Sequence, residues 1–129
     1  MSPSPSDRRY TKTHEWFLAQ GDVVTIGITE FATEQLADIT FVDMPAVGSK
    51  VSAGRACGEI ESVKATSELF TAVTGEVVAV NKALGDAPEL VNNDPYGQGW
   101  MVKVRAADLS ELDALMDSAA YDAMLAAAA

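Results

Sequence analysis

A single cysteine, Cys57, and a single histidine, His14, occur among the 129 residues. An internal disulfide, a cysteine-based metal cluster and a His-rich metal site are thereby excluded. Basic residues are scarce. Nine Lys and Arg stand against nineteen Asp and Glu, leaving a net charge of −10 and a pI near 4.3. That field repels phosphate, so nucleic acid is not an expected partner, whereas a basic protein surface is attracted. No apolar run reaches the roughly 18 residues a membrane span needs, and no membrane association is expected. The opening, Met1 to Arg9, lacks the apolar segment of a signal peptide. A reducing cytoplasm of bacterial type is the expected compartment.

What is present fits one domain. Hydrophobic residues make up 48% and charged residues 22%, an ordinary balance for a packed core. Residues 1–9 alternate Ser and Pro and then turn charged, which predicts a mobile tail ahead of a single domain over 10–129. Glu15–Ala19 and Val23–Ile28 read as strands joined by the turn Gln20-Gly21-Asp22. Thr29 is placed to cap a short helix through Leu36. Ile39–Met44 returns to strand character. From Pro45 onward, glycines punctuate short β-prone runs at Cys57–Val63, Glu68–Val73, Glu76–Asn81 and Trp100–Val104. Short strands at this spacing predict a small barrel or sandwich. Near the end, Asp108 and Glu111 have capping-box spacing. Leu109, Leu112, Met116, Ala119, Ala120, Ala123 and Met124 then recur at helical intervals, predicting one amphipathic helix that frays at 126–129.

Conventional catalysis is hard to assemble from these residues. No phosphate loop occurs, and neither a Ser/His/Asp nor a Cys/His arrangement has a local signature. The informative stretch runs from Gly58 to Leu69. Two β-prone runs flank a centre with one lysine, Lys64, among Glu59, Glu61 and Glu68. A lysine at a hairpin tip is exposed, with its amine clear of the core. Spacing alone fits both a solvated surface lysine and a tip displayed for covalent modification.

Resemblance separates these readings. Glu61-Ser62-Val63-Lys64-Ala65 resembles the lipoyl-lysine signature of the glycine cleavage system H protein family. Tyr10-Thr11-Lys12-Thr13-His14-Glu15-Trp16 resembles that family's opening. Val24–Thr29 and Phe41–Gly48 resemble its first hairpin and turn. Thr74–Asn81 and Pro88–Trp100 resemble later segments, and the likeness covers about residues 10–125 in the family's order.

The resemblance implies a mainly β fold, a barrel-sandwich hybrid of the lipoyl/biotinyl-carrier type with short helices and a C-terminal helix. It implies lipoic acid in amide linkage on Lys64, with Glu61, Ser62, Val63 and Ala65 as the attachment motif. It implies a non-catalytic carrier with three partners: a pyridoxal-phosphate glycine decarboxylase, a tetrahydrofolate-dependent aminomethyltransferase and an FAD-containing dihydrolipoamide dehydrogenase. Lipoyl-attaching enzymes complete the set. The family's loaded arm rests in a surface cleft, and the matching positions are Thr13, Glu15 and Glu68. His14 and Trp16 are read as structural, as is the turn-like Asn92–Gly97. Biotin carriers usually place methionine on both sides of the lysine, whereas Val63 and Ala65 stand here. Lipoyl modules of 2-oxoacid dehydrogenases usually continue into linkers, whereas a helix is expected here. A lipoyl relay to other enzymes, or an unmodified interaction module of the same fold, are the remaining alternatives.

Overall fold

The computed structural model describes residues 3–128. Among the described residues there are nine strands and four α-helices. The strands are β1 (Arg9–Tyr10), β2 (Glu15–Gln20), β3 (Val23–Ile28), β4 (Ile39–Asp43), β5 (Lys50–Val51), β6 (Ala56–Ser62), β7 (Thr66–Phe70), β8 (Gly75–Val80) and β9 (Val102–Ala106). The helices are α1 (Glu30–Leu36), α2 (Ala83–Asp86), α3 (Leu90–Asn93) and α4 (Ser118–Ala128). Six strands form one sheet in the order β1-β2-β3-β9-β8-β5, and three form another in the order β4-β6-β7. Every pairing is antiparallel. This is the barrel-sandwich hybrid expected.

Alternation decides which side chains meet between the sheets. Val24, Ile26 and Ile28 of β3, Ile60 of β6, Leu69 of β7 and Val102 and Val104 of β9 share one buried cluster. A second cluster gathers Tyr10, Trp16 and Tyr121. Trp16 can lie flat there because residue 27 is glycine; a Cβ at Gly27 would meet the indole at 2.6 Å. The indole N–H is shared between the carbonyls of Ile28 and Pro95, each at 3.0 Å. Thr29 caps α1 as expected, its hydroxyl accepting from Ala32 N–H at 3.3 Å.

Both ends of the chain differ from the sequence reading. Residues 3–9, read as a mobile tail, lie against the body, while Met1 and Ser2 fall outside the described residues. Ser4 bonds Asp122 through both its N–H (3.1 Å) and its hydroxyl (2.6 Å). The Arg8 guanidinium lies 4.7 Å from the centre of the Trp16 ring and donates to the Tyr96 carbonyl at 3.0 Å. A cation on an aromatic face holds this segment, which composition does not register.

The single C-terminal helix is instead two pieces. Residues Leu109–Ala114 form a 3₁₀ turn, and α4 follows after a break. The break comes from outside the helix: Met116 and Tyr10 exchange backbone hydrogen bonds of 2.8 and 3.1 Å. The capping box is also not closed. Asp108 accepts from Ser110 N–H at 3.0 Å, while the Glu111 carboxylate turns away to Thr74. The apolar stripe is correspondingly displaced: Leu112 and Tyr121 are buried, and Ala119, Ala120 and Ala123 are exposed. Ala129, part of the segment read as fraying, lies outside the described residues.

Gly58 lies within β6, as the β-prone run Cys57–Val63 predicts, and a Cβ there would stand 2.6 Å from the Asp43 carbonyl oxygen of β4. The obstacle is backbone, so it cannot rotate away. Gly58→Ala should lower stability by about 1–3 kcal/mol in urea unfolding. Gly85→Ala is the control: a Cβ there meets open space in α2 and should be neutral or stabilising by up to ~1 kcal/mol. Equal unfolding midpoints for wild type and Gly58→Ala would show that β4 and β6 have room to separate.

Candidate functional site

Strands β6 and β7 form a hairpin whose tip is Ser62-Val63-Lys64-Ala65. Ser62 N–H donates to the Ala65 carbonyl at 2.9 Å. The return bond uses a side chain: the Ser62 hydroxyl oxygen accepts from Ala65 N–H and from Lys64 N–H, each at 3.1 Å. The hydroxyl proton points to the Ala65 carbonyl at 3.1 Å. One short side chain thus satisfies the polar backbone of an exposed turn and fixes its shape. Lys64 and Ala65 are exposed, and Val63 is 64% exposed. Among the described residues, the Lys64 ammonium has no ion-pair partner.

The tip is also tethered from the side. Val63 N–H donates to the Asp38 carbonyl at 3.0 Å. The Asn92 side chain holds the residues on either side of Asp38, accepting from Ile39 N–H at 2.9 Å and donating to the Ala37 carbonyl at 2.7 Å. Asn92, read as part of a turn, is therefore a remote support of the lysine tip. Composition favoured a turn there and carried no sign of this contact.

The outer face of the small sheet is acidic. Asp43, Glu59 and Glu68 lie abreast on β4, β6 and β7, all exposed. Glu61 sits two pairs nearer the tip on the same face, opposite Phe41, which is 52% exposed. Like charges in register weaken a sheet rather than stabilise it, so this row has no folding rationale.

From the tip, Thr66, Glu68 and Phe70 project on one side of β7 by strand alternation. Phe70 ends that file at a cavity of about 560 Å³. Thr11 and Thr13 form another part of its wall, and Glu111, Ala114 and Leu115 a third. The structure brings Thr13 and Glu15 together at this cavity. Glu68 stays on the open strand between tip and cavity, and is not a wall residue. Thr11 and Glu111 also line the cavity, and the sequence reading assigned neither to the site, taking Glu111 only for a capping residue. His14 adopts a left-handed conformation, φ 72°. Its ring lies against Phe31 and bonds the Tyr121 hydroxyl at 2.8 Å, a structural role as expected but reaching a residue far along the chain. Burial pushes the Cys57 thiol up to about 11, which makes it a poor nucleophile.

A family model described as glycine cleavage H-protein matches residues 8–128. A glycine cleavage system H protein of Enterobacter sp. is 54% identical over 126 residues, covering 97% of this chain and 98% of the relative. The protein of that name from Cronobacter sakazakii is 52% identical over the same length and coverage. The crystal structure of a glycine cleavage system H protein from Mycobacterium marinum superimposes with a TM-score of 0.87 at 40% identity, covering 95% of this chain and 99% of that one.

Behind the cavity wall lies the most unusual group of the site. Glu15 shares the inward face of β2 with Phe17 and is only 1% exposed. Its Oε1 accepts from the Thr11 hydroxyl at 2.7 Å and from the Thr13 hydroxyl, and its Oε2 accepts from Phe70 N–H at 3.1 Å. Three donors and no acceptor are the surroundings of a carboxylate. Burial nevertheless dominates and raises its pKa above the ordinary 4.5, with the three donors pulling it part of the way back. The folded chain therefore keeps a proton on Glu15 at a pH where the unfolded chain has lost it. That contribution to stability is complete below the unfolded value and is lost as pH rises through the folded one. The stability of wild type relative to Glu15→Gln should accordingly be greater at pH ~4 than at pH ~7 in urea unfolding. A difference that is flat across that range, or that grows with pH, would contradict the burial argument.

Proposed function

The chain belongs to the glycine cleavage H-protein family, and from that premise we propose that Lys64 is its lipoyl attachment site and the cavity beyond Phe70 the resting place of the arm. The protein is the non-catalytic shuttle of the glycine cleavage system. It carries an aminomethyl group from the glycine decarboxylase to the aminomethyltransferase, and electrons to dihydrolipoamide dehydrogenase. A lipoyl group covalently bound to a lysine supplies the chemistry, its disulfide taking up the one-carbon unit with its electrons and later giving up both.

The observation that carries the assignment to Lys64 is the hairpin tip. The Ser62 hydroxyl satisfies the turn's backbone, so the tip is rigid without covering the lysine. The lysine is exposed and, among the described residues, its amine has no ion-pair partner, which suits amide formation by an attaching enzyme. The residues present fit the group at the other end as well: a largely apolar cavity of about 560 Å³ with hydroxyls at one side suits a hydrocarbon arm ending in a polar cargo. The acidic, bacterial-type chain supports residence in the cytoplasm. Residues 10–129 act as one carrier unit, with residues 3–9 docked alongside.

Glu15 acts at the cavity through Thr13. The Thr13 proton is committed to the carboxylate, which leaves the hydroxyl oxygen as an acceptor polarised by a negative charge behind it. An ammonium-like cargo donates to that oxygen. An oxidised, uncharged arm makes no such bond. Glu68, exposed on the file between tip and cavity, supplies negative potential along the path.

Among the five lysines of the chain, peptide mapping of natively produced protein should find the lipoyl group on Lys64 alone. Lys64→Arg should keep the fold, changing stability by no more than ~0.5 kcal/mol, and abolish shuttle activity. A lipoyl group on Lys12, Lys50, Lys82 or Lys103 would overturn the assignment. For the cavity, Thr13→Val and Glu15→Gln, compared at equal lipoylation, should each speed ammonia release from the isolated loaded carrier by roughly tenfold, the worth of one hydrogen bond to a charged group. Decay at the wild-type rate in both variants would remove Thr13 and Glu15 from the cargo's surroundings and leave Lys64 in place.

A further inference from the structure

The cavity has one wall that the β-structure does not build. Glu111, Ala114 and Leu115 belong to the 3₁₀ turn and the residue after it, a stretch with no strand pairing of its own up to Met116. A six-residue 3₁₀ segment is held weakly by its own hydrogen bonds, so its position must come from contacts made across the cavity.

Those contacts are specific. The Glu111 carboxylate accepts from Thr74 N–H at 2.8 Å through one oxygen and from the Thr74 hydroxyl at 3.1 Å through the other. The Thr74 hydroxyl oxygen in turn accepts from Ala53 N–H at 3.1 Å. Ala53 lines the same cavity. One carboxylate and one hydroxyl therefore join the C-terminal segment, the β7–β8 connection and the 52–54 turn. At the far end, Met116 exchanges backbone bonds with Tyr10, and the Arg9 guanidinium donates to the Leu115 carbonyl at 3.1 Å. The segment is thus pinned at both ends, with Ala114 and Leu115 facing the cavity between the pins.

Glu111 is not serving its own helix. Its side chain makes no return to the Asp108 N–H, and Asp108 caps the turn by itself through Ser110. A carboxylate that leaves an available capping role to reach a residue 37 positions away is fixing tertiary position.

We propose that residues 109–116 are a strap forming the outer wall of the arm's resting cavity, and that Glu111 is the positioning residue that clasps it shut. The proposal rests on the reading of this cavity as the resting place of the arm. With the clasp closed, Ala114 and Leu115 cover the apolar part of the arm and limit the approach of water to the cargo. With it open, the strap pivots on Met116, and the cargo is hydrolysed to formaldehyde and ammonium sooner.

The test uses the full lipoylated chain. Amide and methyl NMR signals of Ala114, Leu115, Thr13 and Phe70 are compared in the oxidised and loaded carrier, alongside ammonia release from the isolated loaded protein. In wild type, loading should shift all four residues. In Glu111→Ala, the shifts at Ala114 and Leu115 should disappear, those at Thr13 and Phe70 should persist, and release should quicken by about tenfold. Thr74→Val keeps the backbone half of the clasp and should lie between the two. It also serves as the folded variant if Glu111→Ala fails to fold. Shifts confined to Thr13 and Phe70 in wild type would overturn the strap and leave the cavity reading standing. Shifts at none of the four would overturn both. Wild-type release rates in Glu111→Ala and Thr74→Val would overturn the role of Glu111.

Discussion

A carboxylate inside a small protein must be surrounded by donors, and meeting that demand for Glu15 organises this molecule. Its oxygens draw in the hydroxyls of Thr11 and Thr13 and the N–H of Phe70. The first two fold the 11–15 segment back on itself, assisted by the backbone bond from Thr11 N–H to the Glu15 carbonyl at 3.1 Å. The third joins β2 of the large sheet to β7 of the small one. Desolvating a charge is costly unless such bonds exist, so the group that bridges the two sheets at Phe70 also prescribes where the cavity's hydroxyls stand. Structure and site are here the same set of bonds.

The lysine tip solves the opposite problem. It has to be rigid where there is no core to make it so. Ser62 supplies rigidity with its own oxygen, and Asn92 supplies it from beyond the sheet through residues 37–39. Neither contact touches the lysine side chain. The amine keeps its freedom while the backbone beneath it does not, which is what the proposed role of an attachment point requires.

Much of this could be read from residue order. The hairpin β2–β3, the cap at Thr29 and the hairpin around Lys64 follow from alternation, β-branching and turn residues, all local properties. What escaped the sequence was set at a distance. The two-residue strands β1 and β5 are too short to carry a pattern. The C-terminal helix broke at Met116 because Tyr10, over a hundred positions earlier, claimed its backbone. Glu111 has capping spacing and was taken by Thr74. Residues 3–9 have a composition poor in core-formers, yet Arg8 found two aromatic faces, Trp16 and Tyr96. In the site, the exposed place of Lys64 on a hairpin tip was legible from the runs that flank it. The burial of Glu15 was not, since a charged residue at a strand start ordinarily faces water.

The bonds between Ser4 and Asp122, and between Tyr10 and Met116, also bear on the order in which the molecule assembles. The hairpin carrying Lys64 closes over a handful of residues and can form early. The seam between the two ends closes a loop of nearly the whole chain, and loop-closure entropy delays such contacts until the rest has condensed. Assembly therefore runs from the lysine outward to the termini. On a ribosome the residues of the hairpin are made before those of the last helix. The hairpin proposed as the attachment point can therefore pair before the cavity proposed to shelter its cargo has been closed.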